Sequence, residues 1–318
     1  MGNHRIPMRN SCHKINRPKL HYTTHSKVCL LHVFKQVKGE SMLSIQRIMS
    51  KWAKTNALLK SEALREFIPT TRLFSRDTLE AMFSEHRMLY VKPVNGTFGN
   101  GVMKVQRLSQ GSYTFQLGTK AYSCTSFDQL YMGLARKIGH RSYLVQQGIP
   151  LLKHNGRRFD IRVMVQVNSY GEWETTGIIG RLGQKSKIVT NYHSGGTPMA
   201  FSRLMSSHLS ADAQASYTRR LSKLGVLVSK QLQLTYPGIK EIGVDIAIDQ
   251  SLRPWILEVN TNPDPFIFRK LKDPSVFRKI YRYAIGYGKY KSKSKKARVR
   301  KLVKGRTLRG LRTRRGLG

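Results

Sequence analysis

Asp245, Glu258 and Asn260 fall within the stretch Gly243-Val-Asp-Ile-Ala-Ile-Asp-Gln-Ser-Leu-Arg-Pro-Trp-Ile-Leu-Glu-Val-Asn260. Apolar residues alternate there as Val244, Ile246, Ile248 and then as Trp255, Leu257, Val259, the period-two signature of half-buried strands. With a turn at 250–253, a symmetric antiparallel register pairs Val244 with Val259, Ile246 with Leu257 and Ile248 with Trp255. Asp245 then faces Glu258 on the other side of the ladder, and Asn260 follows two residues farther along that side. Like charges opposed across a ladder destabilise it. A divalent cation removes the conflict, and two carboxylates with an amide oxygen are the hard ligands that Mg2+ accepts. A hairpin whose polar face simply meets water would carry the same three residues, so the remainder of the chain has to decide.

Four further groups bear on that decision. Tyr90-Val-Lys-Pro-Val-Asn-Gly-Thr-Phe-Gly-Asn-Gly-Val102 reads as strand, glycine loop, strand. Glycines at 96, 99 and 101 let backbone amides approach phosphate oxygens, and Lys92 adds a fixed positive charge. The spacing matches neither a Walker loop nor a dinucleotide fingerprint, and a glycine-rich hairpin without a ligand looks the same. Tyr143-Leu-Val-Gln-Gln-Gly-Ile-Pro-Leu151 is an apolar strand entering a polar joint that could meet a nucleobase edge, although an ordinary buried strand reads alike. Phe159-Asp-Ile-Arg162 places Asp160 and Arg162 on one strand face. Arg181 near a strand end and Asn191 before the paired Gly195-Gly196 complete the set. Arginines on a sheet usually form ion pairs or stay solvated; converging on one cleft, they suit a transferring phosphate.

The elements that must position these groups follow from periodicity. Residues 44–60 carry apolar side chains near helical spacing and predict a helix, continued by 63–67 and ended by Pro69. A short helix is expected at 78–86, strands at 88–94, 102–107 and 113–117, a helix at 126–138 and a strand at 143–147. Long alternating strands at 160–167 and 173–182 are followed by helices at 210–234 and 274–285. This order gives an α+β fold with mostly antiparallel strands, unlike the strict alternation of a doubly wound sheet.

The chain has 318 residues, 40% of them hydrophobic, and a net charge of +40. No apolar run is long enough to span a membrane. Cys12, Cys29 and Cys124 form no metal or disulfide pattern, which fits a reducing compartment and a cytoplasmic protein. Residues 289–318 hold 14 Lys/Arg and no acid. They predict a disordered basic tail able to make non-specific polyanion contact, with too few aromatics for base readout. Residues 1–41 form a basic leader without periodicity, either a disordered arm or an extension before a true start at Met42. Lys38-Gly-Glu40 can be encoded as a purine-rich segment similar to a bacterial ribosome-binding site, which favours that start.

In combination, this order of lysine, glycine loop, Asp-Ile-Arg strand, arginine, asparagine with paired glycines, Gly-Val-Asp and Glu-Val-Asn resembles the ATP-grasp superfamily. It is most similar to the endospore coat-associated YheC/YheD family of spore-forming bacteria. The resemblance rests on Ser50-Lys-Trp52, Ile68-Pro-Thr-Thr71, Tyr90-Val-Lys-Pro93, Phe159-Asp-Ile-Arg162, Thr190-Asn191 with Gly195-Gly196, and Leu257-Glu-Val-Asn260. It implies an ATP-grasp domain over 42–288, with an N-terminal helix and two α+β lobes, a lid lobe at 88–147 and a C-terminal lobe at 148–288, clamping a nucleotide. By the same resemblance Lys51 (or Lys54) and Lys92 would touch ATP phosphates under a lid carrying Gly96, Gly99 and Gly101. Gln147 and Ile149 would flank the adenine, Asp160 the ribose side, and Asn191 would join the nucleotide contacts. Arg181 and Arg162 would be catalytic. Asp245, Glu258 and Asn260 would hold Mg2+ or Mn2+. The implied reaction is ATP-dependent activation of a carboxylate as an acyl phosphate for attack by an amine or similar nucleophile, with spore-coat association. The alternative is a non-catalytic ATP-binding scaffold attached to the spore surface or a polyanion through its basic tail. Gln147 departs from the family's usual hinge Glu, and the substantial N-terminal domain that many such ligases use for substrate is absent or reduced to a helix.

Overall fold

The computed structural model describes residues 44–108 and 111–291. The basic leader at 1–41, and the tail beyond Lys291, lie outside the described residues.

Residues 44–50 have helical apolar spacing but no helix, a correction with a local cause. Gln46 N donates to Gly238 O at 2.9 Å and Ile48 N to Thr261 Oγ1 at 2.8 Å, so tertiary partners take the amides a helix would need. Ser50 then caps helix α1 (Lys51–Leu59), its Oγ accepting from Ala53 N at 3.1 Å. This is the usual role of serine ahead of a helix. Helix α2 (Glu62–Arg65) is a separate turn.

The first sheet contains β1 (Thr71–Leu73), β2 (Met88–Pro93), β3 (Met103–Arg107), β4 (Tyr113–Leu117), β5 (Lys120–Cys124) and β6 (Tyr143–Gln147) in the order β1-β6-β2-β3-β4-β5, every pair antiparallel. Helices α3 (Arg76–Glu85) and α4 (Phe127–Ile138) bury Leu79, Met82, Leu130 and Leu134 against Leu89, Val91, Val105 and Phe115. Alternation along β2 turns Leu89 and Val91 into that core and leaves Tyr90 and Lys92 on the opposite face.

The second sheet runs β10-β9-β8-β11-β12, with β7 (Lys153–His154) paired at the start of β8 (Arg157–Val167). Strands β9 (Trp173–Leu182), β10 (Thr197–Met199), β11 (Glu241–Ile248) and β12 (Pro254–Asn260) complete it, again antiparallel. The long helix α6 (Ala211–Thr235), preceded by the short α5 (Phe201–Met205), packs Leu221, Val228 and Leu232 over Val163, Val165 and Val244. Helix α7 (Pro274–Gly286) covers Met164 and Ile179 on the other face through Ile280. Both faces of β8 are therefore covered, and the stretch of its even face that α7 does not reach carries Asp160 and Arg162.

The β11–β12 register holds Val244 against Val259 and Asp245 against Glu258, as the alternation requires. Beyond that point a bulge shifts the pairing to Ile246–Ile256, Ala247–Trp255 and Ile248–Pro254, correcting the expected Ile246–Leu257 and Ile248–Trp255 pairs. Leu257 is the extra residue, released from the ladder.

A buried carboxylate ties the ends of this body together. Glu241 is 0% exposed and receives Arg47 Nη1 at 2.9 Å, Lys289 Nζ at 2.6 Å and the Tyr287 hydroxyl at 2.6 Å. No helix among the described residues is long and apolar enough to cross a membrane.

Candidate functional site

A cleft between the two sheets is lined by Lys51, Lys92, Gly96, Gly99, Gln147, Ile149, Asp160, Arg181, Asn191, Asp245 and Glu258. Three expected residues do not line it. Gly101 sits behind the glycine loop, Arg162 lies beneath Asp245, and Asn260 Nδ2 is 3.5 Å from Asp245 Oδ2.

The floor is a buried chain of alternating charges that strand register builds directly. Asp160 pairs with Arg181 across β8 and β9, and Asp245 with Arg162 across β8 and β11. Arg181 grips Asp160 with Nε–Oδ1 at 2.9 Å and Nη2–Oδ2 at 2.5 Å, and reaches Asp245 Oδ2 at 2.9 Å. Arg162 holds Asp245 from the other side, Nε–Oδ1 at 2.5 Å and Nη2–Oδ2 at 3.1 Å. Burial alone would raise the Asp245 pKa, but Arg162 and Arg181 outweigh it and hold the carboxyl below its usual range. Burial likewise opposes the charge on Arg181, and Asp160 with Asp245 more than restores it. Two guanidiniums and two carboxylates satisfy one another in a dry site, where a lone charge would be costly.

Two lysines stand above this floor. Lys51 is the first residue of α1, whose first turn contains no acid. A cation at a helix N-terminus opposes the helix dipole. Gly96 O, 2.7 Å from its Nζ, and Glu258 Oε1, 3.5 Å away, compensate. Lys54 donates to Ile48 O at 3.0 Å and lines an adjoining pocket that shares Lys51, Lys92 and Glu258 with the cleft. Lys92 Nζ donates to Gln146 Oε1 at 2.5 Å, and Gln146 Nε2 in turn donates to Thr71 Oγ1 at 3.1 Å. Burial pushes the Lys92 pKa down to about 8, with Glu258 working against the fall and Lys51 adding to it.

The glycine loop closes the roof. Gly99 and Gly101 take φ of +76° and +73°, a region a side chain rarely tolerates. Ser194 Oγ donates to Phe98 O at 2.7 Å, linking this loop to the segment around Asn191. That segment turns so tightly that a Cβ on Gly196 would lie 2.0 Å from Thr190 O.

Sequence reasoning missed several lining residues: Tyr90, Gln146, Arg158, Lys187 and Leu257. Gln146 was within reach, because Tyr90 pairs with Gln146 and shares the cleft face of β2 with Lys92. Gln147 sits next to it with its side chain engaged elsewhere, Oε1 accepting from Thr70 N at 3.3 Å. Leu257 reaches the cleft only because of the β12 bulge, which alternation does not reveal.

The acidic donors suited to a hard cation are Asp245 and Glu258, Cα partners across β11 and β12, with Asn260 beside Asp245. Their oxygen chemistry fits Mg2+ or Mn2+. No group of three His, Cys, Asp or Glu residues able to hold a metal exists among the described residues, so the amide is needed to complete the set.

A family model described as YheC/D like ATP-grasp matches residues 42–290. Endospore coat-associated protein YheD of Bacillus subtilis is 28% identical over 226 residues, covering 69% of this chain and 49% of the relative. Endospore coat-associated protein YheC of the same organism is 24% identical over 216 residues, covering 67% and 59%. A probable tubulin polyglutamylase, TTLL2 of Mus musculus, is 25% identical over 227 residues, covering 64% and 41%. The chain thus spans about half the length of the curated relatives it matches. Among solved structures, an ADP complex of PurK, N5-carboxyaminoimidazole ribonucleotide synthetase, aligns with a TM-score of 0.40 and 13% identity over 77% of this chain and 53% of that one. The VanG D-Ala:D-Ser ligase from Enterococcus faecalis aligns with a TM-score of 0.44 and 17% identity over 73% and 57%.

Proposed function

The chain belongs to the YheC/D-like ATP-grasp family, and on that premise we propose that its cleft carries out an ATP-dependent ligase reaction on a carboxylate and an amine or similar nucleophile. The observation that carries this reading is the convergence of Lys51, Lys92, Arg181, Asp245 and Glu258 from five separate elements on one cleft roofed by a glycine loop. A decayed nucleotide fold has no reason to keep two lysines in partly desolvated positions, one of them against a helix dipole.

In this reading Lys51 and Lys92 hold the phosphates, and the 96–101 loop excludes water above them. Ile149 and Leu257 supply apolar walls for the base, with Gln147 beside it, and Asp160 and Asn191 edge the nucleotide. A divalent cation held by Asp245, Glu258 and Asn260 would neutralise phosphate charge. Arg162 keeps Asp245 ionised and oriented. Arg181, released in part from Asp245, stabilises the phosphoryl group in flight, a contribution of about 3 kcal/mol for one well-placed donor. The carboxylate oxygen attacks the γ-phosphorus as its bond to the ADP oxygen breaks. The amine nitrogen then attacks the acyl carbon and loses a proton, and inorganic phosphate leaves.

The Bacillus relatives are endospore coat-associated by name, and we extend that localisation to this chain. ADP release dependent on both a carboxylate and a nucleophile tests the reaction, with Asp245→Ala and Glu258→Ala expected to abolish it in folded protein. Retained turnover in either variant would remove the metal assignment. Tight nucleotide binding with no ADP release under any acceptor would instead support a scaffold attached through the basic tail, which holds 14 Lys/Arg.

A further inference from the structure

Beside the nucleotide cleft, a second pocket of about 520 Å3 opens where the 148–152 linker meets β7, β8 and the 183–185 turn. It shares Ile149, Leu151, Arg158 and Gln184 with the cleft, so the two are continuous. Lys104, Lys153, Arg157, Arg158 and Lys185 line it, and no acid does. Among the described residues none of these five cations is in an ion pair. They are also close enough to oppose one another: burial first, then Arg158 and Lys153, push the Lys104 pKa down. Arg157 is fixed in place by backbone oxygens, Nε to Gly183 O at 2.9 Å and Nη2 to Leu182 O at 3.4 Å. Arg158 stands close enough to the Tyr90 hydroxyl to act on it electrostatically. Preorganised like charges without counter-charge cost stability in the free protein, and a multiply charged anion recovers that cost.

We propose that this pocket binds an acidic, glutamate-rich polypeptide segment and presents one of its side-chain carboxylates to the cleft. The lining contains no aromatic ring on which a base could stack, which disfavours single-stranded nucleic acid. Met88, Ile149, Pro150 and Leu151 give the apolar contact that glutamate methylenes and peptide backbone can use. The chain's own tail is basic and is not the occupant. An extended segment advances about 3.3 Å per residue, so a few residues anchored here reach from the linker into the cleft. The acceptor role rests on the ligase reading above; the binding site does not.

The test is fluorescence anisotropy of a labelled oligoglutamate with the full-length chain in roughly 0.3 M NaCl, where exposed charges are strongly screened. The triple variant K104Q/K153Q/K185Q, which leaves every cleft residue intact, is expected to lose at least about tenfold in peptide affinity while binding a non-hydrolysable ATP analogue like wild type. Oligoglutamine is expected not to bind. Unchanged peptide affinity in the variant would place the peptide on the tail and overturn the site. An oligothymidylate that binds wild type more tightly than the peptide, and loses affinity in the variant, would overturn the peptide assignment in favour of nucleic acid. Peptide binding lost in the variant, with no ADP release from wild type, supports the site and removes only its acceptor role.

Discussion

The depressed pKa of Lys92 makes nucleotide affinity a proton-linked quantity. In the free protein burial holds this lysine at about 8, so it is about nine-tenths charged at pH 7 and about one-tenth charged at pH 9. Phosphate oxygens beside its Nζ favour the ammonium form and raise its pKa in the complex. Binding therefore takes up a proton, and affinity falls as pH rises through the free-state value. Between pH 7 and pH 9 the expected loss is about tenfold, or about 1.4 kcal/mol. Calorimetric titration of the full-length chain with a non-hydrolysable ATP analogue at pH 7, 8 and 9 measures it. Lys92→Arg carries a charge that does not titrate in this range, so its affinity should be flat with pH. Lys54 is also pushed down to about 8, chiefly by burial, but its Nζ donates to Ile48 O and it lines an adjoining pocket rather than the cleft itself. A pH dependence that persisted in Lys92→Arg would assign the effect to Lys54 or elsewhere, and a flat wild-type profile would refute the reasoning outright.

Three further outcomes follow from the geometry. Arg162→Met strips one side of a bidentate buried pair while Arg181 remains, and should cost about 3 kcal/mol in urea unfolding; adding Asp245→Asn in that background should recover part of it, and a coupling below about 1 kcal/mol would show that the pair is not formed in solution. Glu241→Gln leaves Arg47 and Lys289 facing a neutral amide, for an expected loss of about 2 kcal/mol or more, read from the urea midpoint at constant slope. Gly196→Ala puts a methyl group 2.0 Å from Thr190 O, so the segment carrying Asn191 must move; nucleotide affinity should fall several-fold with little change in global stability, and an unaltered affinity would remove Asn191 from the site.

What could be read from the sequence was what strand periodicity controls. The facing of Asp245 and Glu258 follows from two alternating runs and a turn, and the structure holds that pair. The same reasoning could not see the bulge after Asp245, because a single extra residue leaves both alternations intact. It also misread 44–50, a half-buried to exposed segment in which the amides of Gln46 and Ile48 are held by Gly238 and Thr261. Strand β1 has only three residues and β5 is an edge with a single buried side chain, so neither carries enough pattern to stand out. Arg181 was legible as a basic residue near a strand end, but its grip on Asp160 depends on the β8–β9 register across a second irregularity between Met164 and Val165. Gln146 and Gln147 illustrate the limit at a site: adjacent, chemically identical, and facing different partners because the strand alternates.

The knot at Glu241 fixes where the folded body can be cut. Arg47 arrives there from the amino-terminal side and Tyr287 and Lys289 from the carboxyl-terminal side, so the same carboxylate fastens both ends. Lys289 further donates to Pro263 O at 2.9 Å, three residues beyond the sheet. A chain shortened after residue 288 would keep Tyr287 but discard Lys289, one of the two cations on Glu241, along with the tail, and any defect in nucleotide binding would then be blamed on the wrong segment; trimming after Lys291 keeps the whole clasp. Fraying should accordingly be concerted, with amide exchange near residues 46–48 and 284–289 rising and falling together, because neither end can let go without loosening the other.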